Sequence, residues 1–346
     1  MVETGERLSW SAAVVSDKHC VGGLPGNRTT PIVVAIAASC RLVMPKTSSR
    51  AITSPSGTAD TMETLAPVDL DATAMRRVVE LEGGCIVWGG AVHLSPADDL
   101  LIRIERALDM DTEGQLIASV LSKKIAAGAT HVVLDIPIGP TAKVRTQDAA
   151  REISAHLTAV AKAFGLQTRC LFSDGAQPVG HGIGPALEAR DVLAVLKRAP
   201  SAPGDLRTRA FDIAAAVLEL AGAAAVGEGI AMARAALDEG RAWRKFQRIC
   251  EAQGGMRDPP LALLQRPLAA PRSGILTLIN NRKLSRLAKL AGAPDDKAAG
   301  VQLCARLGQM VTIGEPLVIV HAEASGELAY ALAYAEANPD MFEIEA

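Results

Sequence analysis

Apolar and amphipathic stretches alternate along the chain, and this alternation predicts an α/β fold. The segment HVVLDI, residues 131–136, is rich in β-branched and apolar residues, as is typical of a parallel strand buried on both faces. Residues 42–44 and 85–88 are shorter strand candidates. Residues 149–164 and 207–224 are alanine-rich and carry apolar side chains at helical spacing. The pattern therefore predicts a mainly parallel sheet flanked by helices.

Two other segments are less regular. PIVVAIAA, residues 31–38, fits a strand or a buried helix equally well from its Ile and Val content. The run DPPLALLQRPLAAPR, residues 258–272, is rich in proline and is interpreted as a linker. After it, GILTLINN, VTIGEPLVIVHAE and a helical stretch over 327–336 predict a small α+β module.

Composition narrows the class of protein. The 346 residues carry 38 acidic and 36 basic side chains, a balance that gives neither a nucleic-acid footprint nor a polybasic membrane surface. No apolar run reaches the roughly 18 residues that span a bilayer. The six cysteines lack C-x-x-C spacing, and the histidines lack partners at ligand spacing, which favours reduced thiols and no metal site. We expect a cytoplasmic protein that uses no metal.

A glycine-rich turn follows an apolar strand in the segment VVSDKHCVGGLPGNRT, residues 14–29. Lys18 and His19 supply positive or protonatable groups, and Gly22 and Gly23 let main-chain N–H groups approach an anion without a Cβ in the way. Thr29 adds a hydroxyl donor. The segment is typical of phosphate binding, although an ordinary loop can have the same composition.

A second polar cluster, KTSSRAITSPSGTADTME, occupies residues 46–63 and contains four serines, four threonines and one arginine. Each hydroxyl can donate to an anionic oxygen and accept from a sugar hydroxyl. Alone the cluster fits a polar loop or a set of helix caps. Together with the glycine-rich turn it favours a phosphate-using and sugar-using enzyme.

These motifs resemble the nucleoside phosphorylases that include thymidine phosphorylase, pyrimidine nucleoside phosphorylase and AMP phosphorylase. The resemblance covers nearly the whole chain, and GNRTT, SSRAITS and GPTAKVR are most similar to the AMP phosphorylase-like branch. It is carried by DKHCVGG (17–23), by residues 48–63, by GQLIASVLSKKIAAG (114–128), by VVLDIPIGPTAKVR (132–145) and by GPALEARDVL (184–193).

The resemblance implies a reaction and a set of site residues. The reaction is phosphorolysis of the N-glycosidic bond of a pyrimidine nucleoside, with inorganic phosphate as co-substrate and no cofactor. The alternative is cleavage of nucleoside 5′-monophosphates. The implied phosphate-binding residues are Lys18, Cys20, Gly22, Gly23, Thr29, Ser48 and Thr58, with Cys20 in place of the family's serine. The implied substrate-binding residues are Ser49, Arg50, Ala51, Ile52, Thr53, Ser54, Arg106, Ser119, Lys123 and Lys143.

The acid that protonates the leaving base has two candidates. Asp111 matches the proton donor of the AMP phosphorylase-like enzymes, but an Asp just before a helix also serves as an N-terminal cap. His19 is the alternative, since an imidazole titrates near neutral pH. Glu188 resembles a cation-binding glutamate of some relatives and is interpreted as a helix-surface acid.

Helical spacing and charge refine the predictions for two segments, residues 119–124 and 143–145. Ser119 and Lys123 are four residues apart and share one helix face, whereas Lys124 points elsewhere. From the sequence alone, both lysines also fit a solvated helix face. Lys143 and Arg145 place two cations where the shorter thymidine enzymes have neutral residues, which favours a substrate with an extra anionic group.

The resemblance also sets the expected organisation of the chain. Residues 1–95 form the phosphate-binding part of the α/β domain, and 96–128 form part of a helical lobe that carries base-site residues. Residues 129–257 complete the α/β domain, 258–272 are the linker, and 273–346 form the C-terminal α+β domain. We expect an N-terminally truncated chain that forms a homodimer if upstream helices are present.

Two other classes remain open from the sequence. One is a phosphoribosyltransferase of the related anthranilate-using fold, which would require Mg²⁺ and phosphoribosyl pyrophosphate. The other is a catalytically silent fragment that associates with itself or with a full-length copy.

Overall fold

A computed structural model describes residues 5–26, 28–51, 54–92, 94, 97, 101 and 113–345. The α/β domain begins with strands and helices in alternation, as the sequence predicts. In chain order these are β1 Ser16–Cys20, α1 Thr29–Ser39, β2 Met44–Ser48, α2 Thr58–Glu63, α3 Ala72–Glu82, β3 Gly84–Trp88, α4 Glu113–Ala126, β4 His131–Ile138, α5 Gln147–Ala163 and β5 Gln167–Asp174. The helices that follow are α6 Pro185–Leu196, α7 Gly204–Leu220, α8 Gly229–Asp238 and α9 Arg241–Ala252.

The strands of this domain run parallel and end at one edge. β4 pairs with β1 on one side and with β5 on the other, and β2 pairs with β3. A parallel bridge between Val15 and Val43 joins the two groups, so the strand order is β3-β2-β1-β4-β5. The α/β expectation is confirmed. In open sheets of this kind ligands bind outside the carboxyl ends of the strands.

Helix α1 resolves the ambiguity of the PIVVAIAA segment. Residues 29–38 are all buried, and α1 packs against α7 and α9 in the largest apolar cluster of the described chain. A helix that is apolar on every side needs neighbours all round, which its place between sheet and helices provides. The segment is therefore a buried helix, as the family resemblance implies.

The C-terminal part is an α+β module whose sheet and apolar cluster also include Ile183, from within the expected 129–257 segment, and whose cluster includes Leu24. Its elements are β6 Gly182–Ile183, β7 Leu264–Ala269, β8 Gly274–Ile279, α10 Asn281–Leu290, β9 Gly300–Leu303, β10 Met310–Val311, β11 Pro316–Ala322, α11 Ser325–Ala337 and β12 Phe342–Glu345. The strands of this list form two antiparallel sheets. Their strand orders are β6-β9-β11-β7 and β10-β8-β12.

The linker interpretation of residues 258–272 is wrong for its central part. Leu264–Ala269 forms β7 and pairs with β11, with Pro267 opposite Ile319. β7 is the last strand of its sheet, where a residue without an N–H is tolerated because the outward edge needs no donor. In the part of the chain that the structure describes, no helix has the length and apolar character to cross a membrane.

Among the described residues, a side chain binds the main-chain groups of Ile86 at the outer edge of β3. Gln253, just after α9, accepts a hydrogen bond from Ile86 N at 2.8 Å and donates to Ile86 O at 3.0 Å. It also donates to Pro67 O at 2.8 Å. One buried amide thus satisfies both main-chain groups of Ile86 and ties α9 to the sheet.

Replacing Gln253 by Leu should destabilise the fold by about 2–4 kcal/mol, because it leaves the buried N–H and C=O groups of Ile86 without partners. Urea unfolding followed by circular dichroism measures this loss. Gln265→Leu, at an exposed position of β7, is the control and should change the free energy of unfolding by less than about 0.5 kcal/mol. Equal effects of the two variants would contradict the assignment.

Candidate active site

The glycine-rich turn closes over the end of β1 and leads into α1. Lys18 is almost fully buried, and its Nζ donates to Thr29 Oγ1 at 2.6 Å. Thr29 Oγ1 in turn donates to the carbonyl of Gly26 at 3.0 Å. Gly26 leaves room for the neighbouring Cys20, whose Sγ would lie 2.2 Å from a Cβ at that position. An ammonium group, a hydroxyl and the start of a helix therefore meet at one point, as anion binding requires.

Two glycines of the turn have distinct roles. Gly23 has a φ of +64°, a left-handed conformation that glycine adopts without a steric penalty. Gly22 lies against the carboxyl end of β4, since a Cβ on it would be 3.1 Å from Cδ of Pro137, the second-last residue of that strand. The turn after β1 and the end of β4 are therefore neighbours at the same edge of the sheet.

A buried charge cluster lies directly beneath the turn. Asp17 Oδ2 is 2.7 Å from Lys124 Nζ, and Asp17 Oδ1 is 3.1 Å from Lys46 Nζ. Lys46 Nζ also donates to the carbonyl of Lys18 at 2.8 Å. The three side chains are almost completely buried. One carboxylate thus faces the amino groups of two lysines.

The pKa values of the cluster reflect burial and charge. Burial tends to raise the pKa of Asp17, but the ammonium groups of Lys124 and Lys46 outweigh it and hold the pKa below 3.8. Burial lowers the pKa of Lys46 well below its ordinary value, and the neighbouring Lys124 adds to this effect against the attraction of Asp17. Burial lowers the pKa of Lys18 in the same way.

His19 is half-buried at the end of β1. Burial lowers its pKa well below 6.5, and the positive charges of Lys124, Lys46, Lys18 and Lys123 lower it further. The imidazole is therefore neutral at physiological pH. A neutral ring can donate an N–H hydrogen bond, but this environment disfavours His19 as a protonated acid. Asp111, the other candidate, lies outside the described residues.

The thiol of Cys20 lies next to the carboxylate of Asp135. Burial raises the pKa of its thiol, and the adjacent Asp135 carboxylate adds to the effect. Asp135 Oδ1 accepts from Ser173 Oγ at 2.5 Å, and Asp135 Oδ2 is 3.5 Å from Arg209 Nη1. Arg209 also reaches the carbonyl of Pro25 at 3.4 Å. The thiol is therefore protonated and faces Asp135, and Arg209 supports the glycine turn.

The hydroxyl-rich segment is folded around one carboxylate. Asp60, in the first turn of α2, accepts from Ala51 N at 2.6 Å and from Gly57 N at 2.9 Å through Oδ2. Gly57 permits the close approach, because a Cβ on it would lie 2.5 Å from the carbonyl of Ser49. Asp60 therefore ties Ala51, shortly after the end of β2, to Gly57 at the start of α2.

The side chain of Arg50 binds other side chains of the protein. Its guanidinium binds Glu63 through bonds of 2.7 and 2.8 Å and stacks over Trp88 at 4.8 Å from the ring centroid. The hydrogen bonds from Arg50, with help from Lys297 of the C-terminal module, lower the pKa of Glu63 to about 2. The guanidinium is thus held between the Glu63 carboxylate and the Trp88 ring, and binding of substrate by Arg50 stays a prediction.

Helix α4 presents its two lysines to different surroundings. Lys123 and Ser119 lie half-buried on one face, and Lys123 Nζ donates to Ser49 Oγ at 3.2 Å. Lys124 points into the protein and binds Asp17. The solvated-face interpretation is therefore wrong for Lys124. The helix brings Lys123 to the hydroxyl-rich loop because Lys124 anchors it on the opposite side.

The interpretation of Glu188 as a helix-surface acid is also wrong. Glu188 and Arg28 are both fully buried, with Arg28 Nη2 3.3 Å from Glu188 Oε1. Arg28 also donates to the carbonyl of Val179, and Thr61 Oγ1 donates to Glu188 Oε2 at 3.2 Å. Burial raises the pKa of Glu188 despite the attraction of Arg28. The pair ties the glycine-rich turn to α6 and α2.

The structure brings most of the predicted residues to one edge of the sheet. Ala51 and Ser54 are half-buried in the hydroxyl-rich loop, and Lys143 is exposed on the loop after β4. Ile52, Thr53 and Arg106 lie outside the described residues. Sequence reasoning missed Asp17, Lys46, Lys124, Asp60, Asp135 and Arg209. A signal existed for the first two and for Asp135, which are charged residues inside strand patterns. Among the described residues, no three His, Cys, Asp or Glu side chains are grouped as metal ligands.

Comparison with known proteins assigns the chain to a family. Residues 12–243 match the profile described as the glycosyl transferase family, α/β domain. The chain belongs to this family. It is therefore an enzyme of the glycosyltransferase class, and its matched region contains the glycine turn, the charge cluster and α4.

Curated relatives of this family member are similar over its whole length. A protein of Chelativorans sp. (strain BNC1) is 67% identical over 346 residues, which are 100% of this chain and 68% of the relative. A protein of Tolumonas auensis is 66% identical over 345 residues, with the same coverage of both chains. Both are named "Putative thymidine phosphorylase".

Solved structures support the same fold for this glycosyltransferase family member. Anthranilate phosphoribosyltransferase from Thermus thermophilus aligns with a TM-score of 0.57 at 19% identity, covering 73% of this chain and 82% of its own. The Saccharomyces cerevisiae enzyme, solved with PRPP and Mg, aligns with a TM-score of 0.56 at 15% identity, covering 73% and 77%. At these identities the likeness shows the fold alone.

Replacing Asp17 by Asn should destabilise the protein by about 3–5 kcal/mol near neutral pH, because it leaves Lys46 and Lys124 buried without a counter-charge. The folded pKa of Asp17 lies below 3.8, so its stabilisation is complete above that pH and is lost as the pH falls through the folded pKa. The difference between wild type and variant in urea unfolding should therefore narrow below about pH 4.

The control for this experiment is Asp148→Asn, because the Asp148 side chain is 92% exposed in its pair with Arg151. It should change the free energy of unfolding by less than about 0.5 kcal/mol. A small effect of Asp17→Asn that is independent of pH would contradict the role of the cluster.

Proposed function

We propose that the protein catalyses phosphorolysis of a pyrimidine nucleoside, converting thymidine and phosphate to thymine and 2-deoxyribose 1-phosphate. The observation that carries the proposal is that the two loops follow neighbouring parallel strands, β1 and β2, at one edge of the sheet. The glycine turn contributes Lys18 and Thr29, and the hydroxyl-rich loop contributes Ser49, which contacts Lys123 of α4. An anion site and a base site would thus be neighbours. The names of the curated relatives support the same reaction.

The chemistry follows from the charge at this edge. Phosphorolysis breaks the bond between C1′ and the base nitrogen and forms a bond between C1′ and a phosphate oxygen. The sugar gains positive charge in the transition state, and the leaving base gains negative charge. Lys18, Thr29 and the amides of Gly22 and Gly23 would hold phosphate, while the buried excess of lysine over carboxylate favours an anion there.

The base side would be formed by α4. Ser119 and Lys123 are half-buried on the same face, where they can donate to carbonyl oxygens of a pyrimidine. Because Lys123 carries a positive charge, it would stabilise the negative charge that develops on the leaving base. Protonation of that base is proposed for Asp111, since the neutral state of His19 suits a hydrogen-bond donor better than an acid.

A second candidate is phosphorolysis of a nucleoside 5′-monophosphate. The observation that favours it is the position of Lys143, which is exposed on the loop that follows β4, the strand whose carboxyl end lies beside Gly22. Its ammonium group could pair with a 5′-phosphate. We propose a homodimer as the active form in either case, and light scattering tests that state.

The first test replaces Lys18 by Met, which preserves side-chain length and removes the ammonium group. Release of free base from thymidine, uridine, AMP and CMP is measured with and without inorganic phosphate. We expect phosphate-dependent release by the wild type and a fall in kcat/KM of at least about a hundredfold in the variant, because a preorganised charge at the phosphate is lost.

Lys162→Met, at an exposed position of α5, is the matched control and should retain full activity. Circular dichroism of both variants checks that they fold. Phosphate-dependent turnover that survives Lys18→Met would remove the proposed anion site. Turnover that instead requires Mg²⁺, phosphoribosyl pyrophosphate and anthranilate would assign the phosphoribosyltransferase class.

The second test replaces Lys143 by Met. If Lys143 pairs with a 5′-phosphate, kcat/KM should fall about tenfold or more for a nucleoside 5′-monophosphate and stay within about twofold for its nucleoside. Kinetics with each monophosphate and its own nucleoside measure the ratio. An unchanged ratio would remove the monophosphate candidate and leave the nucleoside reaction.

A further inference from the structure

The loop that carries Lys143 is a compact turn at the carboxyl end of β4. Gly139 N donates to the carbonyl of Val144 at 3.1 Å, and Ala142 N donates to the carbonyl of Gly139 at 3.1 Å. Ala142 and Val144 are buried, and Lys143 between them is exposed. The direction of the Lys143 side chain is therefore set by how this turn is seated.

The turn is seated on the C-terminal module through Thr141, two residues before Lys143. Thr141 Oγ1 accepts from Asn281 N at 3.1 Å and from Asn281 Nδ2 at 2.9 Å. It donates to the carbonyl of Ile279 at 3.4 Å. Asn281 is only 4% exposed, so these hydrogen bonds are shielded from water.

Asn281 holds a second segment of the α/β domain at the same time. Its Nδ2 donates to the carbonyl of Gly175, just after β5, at 3.1 Å. Gly139 packs directly on this segment, since a Cβ on it would be 2.4 Å from Gly175 C. The side-chain amide of Asn281 thus binds both the Lys143 turn and the segment at Gly175 on which that turn packs.

The start of α10 makes this contact rigid. Asn280 is the N-cap, and its side chain accepts from the main-chain N–H groups of Arg282 and Lys283. Asn281 is the first helical residue, so its own N–H has no partner within the helix and is available to Thr141. Two adjacent asparagines therefore have different roles, one within the helix and one between the domains.

We propose that Asn281 is a positioning residue through which the C-terminal module sets the Lys143 turn and thereby the preference between nucleoside 5′-monophosphates and nucleosides. Asn281 acts through Lys143 and does not itself contact the substrate. The proposal rests on the proposed function, because it requires Lys143 to bind the 5′-phosphate.

The test compares Asn281→Asp with Asn280→Asp in the full chain. Both variants introduce the same negative charge at neighbouring positions. Asn281→Asp removes the Nδ2 donor and places a carboxylate against the Gly175 carbonyl, whereas Asn280→Asp keeps an acceptor at the N-cap. We expect Asn281→Asp to lower the kcat/KM ratio of monophosphate to nucleoside about three- to tenfold, mainly through KM, and Asn280→Asp to leave it unchanged.

A second pair of variants examines the hydroxyl side of the contact. Thr141→Val removes the acceptor at nearly constant volume and should lower the same ratio, while Thr141→Ser keeps the hydroxyl and should restore it. Thermal unfolding of all four variants separates positioning from folding. If Asn281→Asp lowers both activities equally, in step with a lower Tm, the role is structural and the proposal is overturned.

The outcome with Lys143→Met separates this proposal from the proposed function. A ratio that falls in Lys143→Met but not in Asn281→Asp or Thr141→Val overturns the positioning role alone. A ratio that is unchanged in Lys143→Met, or no action on any monophosphate, overturns the positioning role together with the monophosphate candidate. Loss of phosphate dependence in the wild type overturns phosphorolysis itself.

Discussion

The arrangement of the site depends on one buried carboxylate, Asp17, that faces two ammonium groups. Parallel strands end at a common edge, so Lys18 of β1 and Lys46 of β2 are brought close together, and Lys124 of α4 joins them. Burying like charges is unfavourable unless a counter-charge is within contact distance. Asp17 supplies that counter-charge, and the position of α4 follows from it. Because Lys124 is fixed inside, Lys123 emerges at the hydroxyl-rich loop.

The loops around this cluster are held by protein groups before any ligand arrives. Asp60 gathers the hydroxyl-rich loop, Arg209 supports the glycine turn from beneath, and the Arg28–Glu188 pair joins that turn to α6. Each is a hydrogen-bonded charge with little exposure to water. Such preorganisation reduces the conformational freedom that would otherwise be lost on binding. These contacts also explain how loops rich in glycine, serine and threonine can have a defined geometry.

Local patterns in the sequence were sufficient for the fold class and for part of the site. The strand at 131–138, the amphipathic helices and the shared face of Ser119 and Lys123 follow from periodicity that acts over a few residues. The glycine turn and Lys18 were recognisable from residue type. The α1 helix needed the family resemblance, because an apolar stretch of that length fits strand and helix alike.

Contacts between distant residues could not be predicted in this way. Asp17 and Lys124, Arg28 and Glu188, and Thr141 and Asn281 are each separated by more than a hundred residues, and periodicity carries no information about such partners. A charged residue on a helix is predicted to be exposed because most such residues are. Lys124 and Glu188 are exceptions because each has a buried partner. The strand at 264–269 is not predicted from the sequence because proline is typical of a break, although the edge of a sheet accepts it.

The closure of β3 by Gln253 bears on how the protein behaves at high concentration. An open edge strand offers unpaired N–H and C=O groups to the strands of other molecules, and this is a common start of aggregation. At Ile86 the Gln253 amide already occupies both groups. An incoming strand would have to displace a buried side chain and detach the end of α9 before it could pair there. The Gln253 amide, which ties α9 to the sheet, therefore also disfavours intermolecular strand pairing at Ile86.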